Sequence, residues 1–490
     1  MLNGTASSGL FAPPMIPPGR RGLSLILQLR RDPLQFFTDL MVEEGAYAWL
    51  NLNGTRLLML NDAVGISHVL QDNAENYRKG RFNKVLKYFL GRSMFLSEGG
   101  TWKQMRRESA PAFATTNLDA MTADMVLAVE AMFERWTPRI ARQESIDIGA
   151  EMMSLTLDVV LRALFHESRQ NVADKLQRSL GLLLSEAEGR IWSPLNLPQS
   201  MVLRLPKYRG ALDFIRELVH ELIAARQQNN AYPSDLLSRL IATYGLSTAT
   251  GLELRDQVMA FLLAGHETTA HGLAWSLYNL ARHPAQDQSL QREVDMVLPL
   301  EGITLSDINK LHYTRQVFDE ALRLYPPVWT LSRESLIEDT IPLDNGETLS
   351  IPKDTVVMLC CYAVQRREKY WQNPEAFDPD RFNTENSRGR PKFAWFPFGG
   401  GPRLCLGIRF AQIESVLALA LIKQRYTLAL VPGQHREPVP VITLRPNGPM
   451  LFRVRERKPI STIRASTTNS IAPNSLDHGI ATCPMHRVAH

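Results

Sequence analysis

Apolar residues recur at helical spacing along most of the chain and predict a protein built mainly from α-helices. Between residues 119 and 244 this spacing is nearly continuous. Residues 253–282 predict one uninterrupted helix, roughly 45 Å long at the α-helical rise per residue. This helix is apolar on most of its faces, which is typical of a helix in the middle of a large protein. Further helices are predicted at residues 307–324 and 406–424.

Short apolar runs bounded by turn residues predict a small β part. An Asn-Gly pair between two such runs predicts a hairpin over residues 47–60. A second Asn-Gly pair lies inside the strand-like residues 340–352, and another strand-like run covers residues 356–364. The predicted fold class is therefore mainly α with a small β region (α+β).

The domain organisation follows from the absence of a Pro-, Gly- or Ser-rich linker between the predicted helices. We therefore expect one large domain over residues 21–456. Residues 1–20 are a proline-rich lead-in to the first helix. Residues 457–490 are rich in Ser, Thr, Asn and Pro and are predicted to be a disordered tail.

Composition narrows the class of protein. Hydrophobic residues make up 44% and charged residues 21% of the chain, so a sizeable core is expected. The four cysteines do not form a disulfide framework pattern, which is typical of a reduced intracellular protein. No apolar run reaches the length of a membrane span, and no secretory signal is found, so we expect a cytoplasmic protein without a transmembrane anchor.

The net charge of +5 is spread along the chain without a long basic block. Nucleic-acid binding is therefore not expected. A local basic patch would instead suit an acidic electron-transfer protein.

Cys405 stands in a loop of unusual composition. Three consecutive glycines, Gly399 to Gly401, precede it, and Gly407 and an apolar helix follow it. Glycine allows positive φ and a close approach to a flat partner. The positive end of a helix dipole favours a thiolate, and Gly407 leaves room for backbone N–H groups to donate to the sulfur. The alternative is a buried structural cysteine beside a glycine-rich turn.

The centre of the predicted 253–282 helix departs from the local rules for a buried helix. Gly265 costs about 1 kcal/mol relative to Ala, and Glu267 and Thr268 are polar groups that need partners when buried. Such departures indicate a functional site. The alternative is a kinked core helix in which the Thr268 hydroxyl bonds back to a carbonyl one turn earlier.

Both segments resemble signature sequences of the cytochrome P-450 family. The haem loop of that family, F-x-x-G-x-R-x-C-x-G, is matched at every position, and residues 264–268 match the oxygen-activating helix, [AG]-G-x-[DE]-T. The pattern E-x-x-R followed by P-x-R-F, and the pattern W-x-x-x-R, are also present. Gln365 stands where many members have His. The resemblance covers residues 10–455, and its matching residues are Trp102, Arg106, Ala264, Gly265, Glu267, Thr268, Glu320, Arg323, Arg381, Phe398, Gly401, Arg403, Cys405 and Gly407.

The resemblance implies the cytochrome P-450 fold, with haem b between the long helix and the Cys405 loop. Cys405 is implied as the axial ligand to the iron, where a thiolate favours O–O cleavage. Glu267 and Thr268 are implied as the catalytic pair that relays protons. Glu320, Arg323 and Arg381 are implied as a structural network. Contacts to the haem are implied for Trp102, Arg106, Ala264, Gly265, Arg333, Phe398, Gly401, Arg403 and Gly407.

The activity implied by the resemblance is a monooxygenase that inserts one oxygen atom from O2 into a C–H bond of a lipophilic small molecule, such as a terpenoid or fatty acid. The chain after residue 457 is too short for a flavin or iron–sulfur domain. Electrons from NAD(P)H are therefore expected through a separate ferredoxin and ferredoxin reductase, docked on Lys103, Arg107 and Arg409, with the protein a monomer. Candidate substrate-pocket residues, each of which core packing explains equally well, are Phe82, Phe89, Leu90, Val328 and Trp329.

Two other functions remain open from the sequence. A peroxide-dependent haem-thiolate enzyme would need no reductase, but such relatives commonly lack the acid–threonine pair that is present here. A haem-binding sensor or carrier would bind the same group without turnover.

Overall fold

The computed structural model describes residues 22–52, 54–166, 170–191, 199–202, 204–228, 235–244 and 248–457. The α-helices of these ranges are α1 (Gly22–Arg31), α2 (Pro33–Glu44), α3 (Ala63–Ser67), α4 (Lys87–Leu90), α5 (Gly99–Ser109), α6 (Thr115–Ala141), α7 (Ile148–Phe165), α8 (Gln170–Ile191), α9 (Gln199–Val202), α10 (Pro206–Gln228), α11 (Leu236–Tyr244), α12 (Thr248–Arg282), α13 (Pro284–Val297), α14 (Leu305–Ile308), α15 (His312–Leu324), α16 (Cys361–Val364) and α17 (Ile408–Arg425). The strands are β1 (Tyr47–Leu52), β2 (Thr55–Leu60), β3 (Tyr77–Lys79), β4 (Ile146–Asp147), β5 (Leu331–Ser335), β6 (Asp339–Pro342), β7 (Thr348–Ile351), β8 (Val356–Leu359), β9 (Tyr426–Leu430), β10 (Pro438–Pro440), β11 (Leu444–Pro446) and β12 (Leu451–Glu456). The mainly α fold class with a small β region is confirmed.

Helix α12 runs through the main apolar core, between α7 and α15. It begins at Thr248, five residues before the predicted start at 253, and continues to Arg282 as predicted. At Gly272 a β-carbon would lie 2.8 Å from Cε2 of Phe318, so a glycine allows α12 and α15 to pack closely. Helix α17 is also a core helix, with buried residues on all its faces. It begins at Ile408, two residues after the predicted start at 406.

A five-stranded sheet in the order β1-β2-β8-β5-β3 forms the larger β region. Its β1–β2 hairpin confirms the prediction for residues 47–60. Strands β3 and β5 are antiparallel, and their register places Lys79 opposite Arg333. Directly opposite residues of neighbouring strands share one face of a sheet. The predicted turn within residues 340–352 joins β6 to β7 and is likewise confirmed.

Two predicted elements were wrong in part. The expected helix over residues 307–324 is divided into α14 and α15, because Thr304 and Asp307 form a capping box for the first and Glu293 of α13 caps the second. The Glu293 carboxylate accepts hydrogen bonds from the backbone N–H groups of Tyr313 at 2.6 Å and Thr314 at 2.7 Å. The expected strand over residues 356–364 ends at Leu359, and the chain continues as α16.

The ends of the chain bear on the predicted domain boundaries. The lead-in at residues 1–20 and the tail from residue 458 onward lie outside the described residues. Arg457 is described, and its guanidinium donates to Asp295 at 2.9 Å and to the carbonyl of Lys423 at 2.9 Å. Among the helices of the described ranges, none combines the length and apolar character needed to cross a membrane.

Candidate active site

A cavity of about 460 Å³ lies between α12 and the loop that precedes α17. Its walls are mostly apolar and include Leu86, Phe95, Phe261 and Ile442. The side chains of Phe82 and Phe89, which were predicted for a substrate pocket, lie outside the described part of the structure. The predicted site residues that line the cavity are Leu90, Trp102, Arg106, Ala264, Gly265, Glu267, Thr268, Val328, Trp329, Arg333, Phe398, Arg403, Cys405 and Gly407.

Cys405 is enclosed by protein, and its side chain is accessible because it lines the cavity. Its backbone N–H donates to the carbonyl of Phe398 at 3.0 Å, which closes the loop before α17. Burial raises the pKa of the Cys405 thiol, against the opposing effects of the Gly407 backbone N–H and of Arg106. The start of α17 therefore does not by itself make this sulfur a thiolate, whereas binding to a metal ion does.

Gly401 positions the Cys405 loop without lining the cavity. Its φ of +61° is in the left-handed region, and a β-carbon at this residue would lie 1.8 Å from the carbonyl oxygen of Leu70. Glycine is therefore required for the loop to pass close to the backbone at residue 70. Gly265 likewise serves packing, since a β-carbon there would lie 2.9 Å from Cγ2 of Val160 on α7.

Four cations line one part of the cavity: Lys79, Arg106, Arg333 and Arg403. Arg403 pairs with Glu98, donates to the carbonyl of Ser97 at 2.9 Å and lies 4.0 Å from the centre of the Trp102 ring. Glu98 is the carboxylate that acts on Lys79, Arg333 and Arg403. Glu98 thus acts on three of the cations, and Arg106 is the fourth. This leaves a surplus of positive charge in an enclosed place, which is unfavourable unless an anionic ligand binds.

The pKa values of two of these cations are lowered, in part by the neighbouring positive charges. Burial and the neighbouring Arg403 lower the pKa of Arg333 to about 10. Burial, Arg333 and Arg403 lower the pKa of Lys79 to about 7. Guanidinium and ammonium groups bind carboxylates well. This donor set, which lines the same apolar cavity as Cys405, fits a haem with its two propionates.

Lys79 was missed by the sequence reasoning. It belongs to no motif, and only the pairing of β3 with β5 brings it beside Arg333. A register between two strands that are more than 250 residues apart has no local sequence signal.

Glu267 and Thr268 lie in the wall of the cavity on α12. The Thr268 hydroxyl donates to the carbonyl of Ala264 at 2.8 Å, as the structural alternative predicted. Oε1 of Glu267 accepts a hydrogen bond from the Thr443 hydroxyl at 2.8 Å and lies 3.5 Å from Nε2 of His271. Burial raises the pKa of Glu267, but His271 and Thr443 outweigh it, so the pKa of this carboxyl lies below its ordinary value.

Glu320, Arg323 and Arg381 come together away from the cavity lining. The Arg323 guanidinium donates twice to Glu320, at 2.7 Å and 2.8 Å, and Nε of Arg381 lies 3.5 Å from the same carboxylate. Gln365 links this network to the Cys405 loop. Its amide donates to the carbonyl of Arg323 at 3.0 Å and accepts from the backbone N–H of Phe396 at 3.1 Å.

Trp329 has a structural contact in addition to its place in the cavity wall. Its indole N–H donates to the carbonyl of Val441 at 2.8 Å, and its ring lies 6.1 Å from that of Phe37 in a second apolar core. The core-packing alternative therefore describes most of its contacts.

The combination of a mainly α fold, a cysteine facing an apolar cavity and a surplus of cations around it defines the haem-thiolate class of proteins. Comparison with known proteins agrees, because the model of the Cytochrome P-450 family matches residues 14–452. The chain therefore belongs to the cytochrome P-450 family, whose members bind haem through a cysteine thiolate, and it is a monooxygenase of that family.

Individual relatives match this chain over most of its length and most of their own. The chain is 31% identical over 416 residues to cyclooctat-9-en-7-ol 5-monooxygenase of Streptomyces melanosporofaciens, which covers 83% of this chain and 87% of that protein. It is 28% identical over 447 residues to a chloroplastic carotene epsilon-monooxygenase of Arabidopsis thaliana, with 84% and 81% covered. The crystal structure of the haem domain of cytochrome P-450DA superposes with a TM-score of 0.75 at 26% identity, covering 87% of this chain and 94% of that one.

Proposed function

We propose that this protein oxidises a lipophilic isoprenoid, inserting one oxygen atom from O2 into a C–H bond. The observation that carries the proposal is the cavity itself, in which apolar walls enclose Cys405 together with Glu267 and Thr268. Two relatives support the isoprenoid class, since one is named for carotene and the other for cyclooctat-9-en-7-ol, an alcohol on a hydrocarbon skeleton.

Haem is proposed to bind with its iron on the sulfur of Cys405 and its carboxylates among the four cations. Arg106, Arg333 and Arg403 supply fixed positive charge, and Lys79 adds an ammonium group that a carboxylate restores to its charged form. When bound, this group supplies an electron-rich iron that activates O2. The ring of Trp102, stacked on Arg403, keeps the guanidinium in place.

Proton control is proposed to belong to Glu267 and Thr268. The Thr268 hydroxyl exchanges its bond to the Ala264 carbonyl for one to a molecule in the cavity, because both groups face that space. Glu267 supplies protons to this hydroxyl or to a water beside it. A positioned acid of this kind contributes roughly 10²- to 10⁴-fold to a rate.

Substrate is proposed to bind against apolar residues of several elements, among them Leu90 of α4 and Val328 before β5. Each Å² of apolar surface that leaves water contributes about 25 cal/mol, so a hydrocarbon skeleton suits these walls. The same walls exclude water from the reacting carbon.

Electrons are proposed to come from NAD(P)H through a ferredoxin and its reductase. Arg107 of α5 and Arg409 in the first turn of α17 are exposed, and so is Lys103, whose ammonium lies 3.4 Å from Glu75. Because Arg409 lies four residues beyond Cys405, an acidic partner on this face would approach the sulfur side of the haem.

The test is a ligand screen followed by turnover with labelled oxygen. Isoprenoids, fatty acids and aromatic acids are screened for a low- to high-spin shift of the Soret band. The hits are then incubated with ferredoxin, reductase, NADPH and ¹⁸O2. We expect an isoprenoid to give the shift and a product with one ¹⁸O atom.

Three results would contradict the proposal. Oxidation of fatty acids alone would overturn the substrate class. Turnover with peroxide but not with any reductase would favour the peroxide-dependent enzyme. A reducible haem without product formation from any compound would favour the sensor or carrier.

A further inference from the structure

The carboxylate of Glu267 is held by side chains of two different elements. The Thr443 hydroxyl donates to its Oε1 at 2.8 Å, and Nε2 of His271, one turn along α12, lies 3.5 Å from the same oxygen. All three residues are buried. A buried carboxylate with a histidine on one side and a hydroxyl on the other is therefore a preformed polar group inside an apolar wall.

His271 lies beside this carboxylate but is not part of the cavity lining. Glu267 and Thr443 line the cavity, whereas His271 does not. Its Nε2 is enclosed, but 10% of the side chain is exposed. The imidazole thus has Nε2 toward the acid, and another part of the side chain is exposed.

Thr443 belongs to the turn between β10 and β11, and this turn is fixed on both sides. The indole of Trp329 donates to the carbonyl of Val441 at 2.8 Å, and the backbone N–H of Leu444 donates to the carbonyl of Pro327 at 2.9 Å. These bonds attach the turn to the segment before β5. The Thr443 hydroxyl is consequently held at a constant distance from the carboxylate, beside His271.

We propose that His271 is a relay residue that returns protons to Glu267, and that Thr443 is the positioning residue that keeps the carboxylate against it. The inference rests on the proposed acid role of Glu267. In the relay, Nδ1 of the neutral Nε2–H imidazole takes a proton from a hydronium ion, which leaves as water, while the Nε2–H bond breaks and an O–H bond forms on Oε1 of Glu267. The Nδ1–H tautomer that remains returns to the Nε2–H tautomer by proton exchange with water, and no electrons are transferred. Histidine suits this step because its two ring nitrogens can accept one proton and donate another.

Other titratable groups near α12 are less suited than His271 to transfer a proton to Glu267. His266 also acts on Glu267, but burial lowers the pKa of His266 to about 4, so it is neutral under ordinary conditions. The turn that carries Thr443 contributes only that hydroxyl to the carboxylate. On α7 and α15, which pack against α12, Asp158 pairs with Arg162, Arg315 with Asp319 and Glu320 with Arg323. On α17, burial raises the pKa of Glu414 well above its ordinary value.

The first test replaces the histidine by a residue that can donate but does not titrate, His271→Gln. With the proposed redox partners and a substrate that shifts the Soret band, we expect the product formed per NADPH to fall about tenfold, with the difference released as hydrogen peroxide. The pH profile of this coupling should differ between the wild type and the variant, because glutamine cannot accept one proton and release another. Unchanged coupling with an unchanged pH profile would overturn the relay.

A matched control removes another histidine near the same helix. His283, just beyond the end of α12, is partly buried and its Nδ1 bonds the carbonyl of Asn279 at 2.7 Å. It has no contact with Glu267 in the described structure. His283→Gln should keep the coupling and the pH profile of the wild type.

The second test separates the hydroxyl of Thr443 from its methyl group. Thr443→Val should lower coupling, and Thr443→Ser should restore it, each measured at saturating substrate as judged from the Soret titration. Thr122→Val, which removes a buried hydroxyl that donates to Leu118 within α6, serves as the control. Equal coupling in the Val and Ser variants would contradict the positioning role.

A third variant distinguishes failure of the relay from failure of the proposed function. If Glu267→Gln leaves coupling unchanged, the acid role itself is wrong. If Glu267→Gln lowers coupling but His271→Gln does not, only the relay is wrong. The double variant should be no worse than Glu267→Gln alone, since both changes interrupt one path. The reduced, carbon-monoxide-treated spectrum shows which variants keep their haem. If His271→Gln loses its haem, the Thr443→Val and Thr443→Ser variants provide the test.

Discussion

The cavity is lined by several cations that lie close together, and this clustering of like charge is unusual. Lys79, Arg333 and Arg403 are mutually repulsive and share the carboxylate of Glu98. Their electrostatic repulsion raises the free energy of the folded chain, and binding of an anion lowers it. We therefore propose that the affinity for a dianionic haem derives partly from charges that the protein holds apart from water.

Lys79→Gln tests the contribution of one of these cations to haem binding. Because a charge-assisted hydrogen bond to a carboxylate is worth about 1.5–3 kcal/mol, we expect haem to leave the variant on the order of tenfold faster. The pKa of Lys79, about 7 with Glu98 nearby, rises when a further carboxylate binds beside it. Wild-type haem retention should therefore weaken as pH rises through that raised pKa, and the variant should lack this step.

The measurement is the rate of haem transfer to an apo-globin acceptor as a function of pH. Lys87→Gln, a change at an exposed lysine of α4, is the matched control and should lose haem at the wild-type rate. Equal rates for Lys79→Gln and wild type at every pH would contradict the role of this cation.

Gly401→Ala tests the approach of the Cys405 loop to residue 70. The substitution combines a positive φ with a β-carbon 1.8 Å from the Leu70 oxygen. Gly346→Ala, with a φ of +84° but open space around it, carries the φ strain alone and should cost about 1–2 kcal/mol of unfolding free energy. Gly401→Ala should cost clearly more and yield protein that does not retain haem. Thermal unfolding and the haem content of the two variants provide the comparison, and equal behaviour would contradict the steric account.

Residues of the site that belong to a contiguous motif could be predicted from the sequence, and the others could not. The loop around Cys405 and the pair Glu267–Thr268 are each encoded within a few neighbouring positions. Lys79 enters the site only through a strand register, for which a single sequence carries no signal. His271 lies four residues beyond Glu267 on the same helix, so helical spacing could have found it. The structure also shows Thr268 bonded to Ala264, which the motif alone left open.

At the scale of elements, the predictions held where the hydrophobic pattern and the turn residues agreed locally. The hairpin over residues 47–60 and the long helix α12 are of this kind. The expected helix over residues 307–324 was wrong because its division depends on the Glu293 carboxylate of another helix. A cap supplied from elsewhere in the fold cannot be inferred from the capped segment.

The buried pair Glu320–Arg323 provides a test of how α15 braces the Cys405 loop. Both side chains are fully buried, so Glu320→Gln leaves a guanidinium without its counter-charge and should cost about 3–5 kcal/mol of unfolding free energy. Lys310→Gln breaks a pair with Asp307 in which the lysine is 60% exposed and should cost less than about 1 kcal/mol. Chemical unfolding of the haem-loaded proteins measures both, and similar losses in the two would contradict the bracing role.

For the whole molecule, the proposed docking face at the exposed residues Arg107 and Arg409 predicts a salt-dependent encounter with an acidic partner. The double substitution Arg107→Glu and Arg409→Glu should slow ferredoxin-driven reduction about tenfold at low ionic strength, and salt should reduce the difference. Lys353→Glu with Arg388→Glu, at exposed sites elsewhere, is the matched control. Stopped-flow measurement of the reduction rates tests this prediction. Identical rates in the two double variants would exclude this docking face.

The fold as a whole brings the sulfur of Cys405 into an apolar cavity, and the proposed role of this sulfur is to bind a haem iron. Its most direct test is Cys405→Ser, examined as the reduced, carbon-monoxide-treated protein. The account predicts that the variant loses the red-shifted Soret band of thiolate-bound haem, while Cys360→Ser, at a buried free cysteine, retains it. A Cys405→Ser protein with the wild-type spectrum would contradict the account.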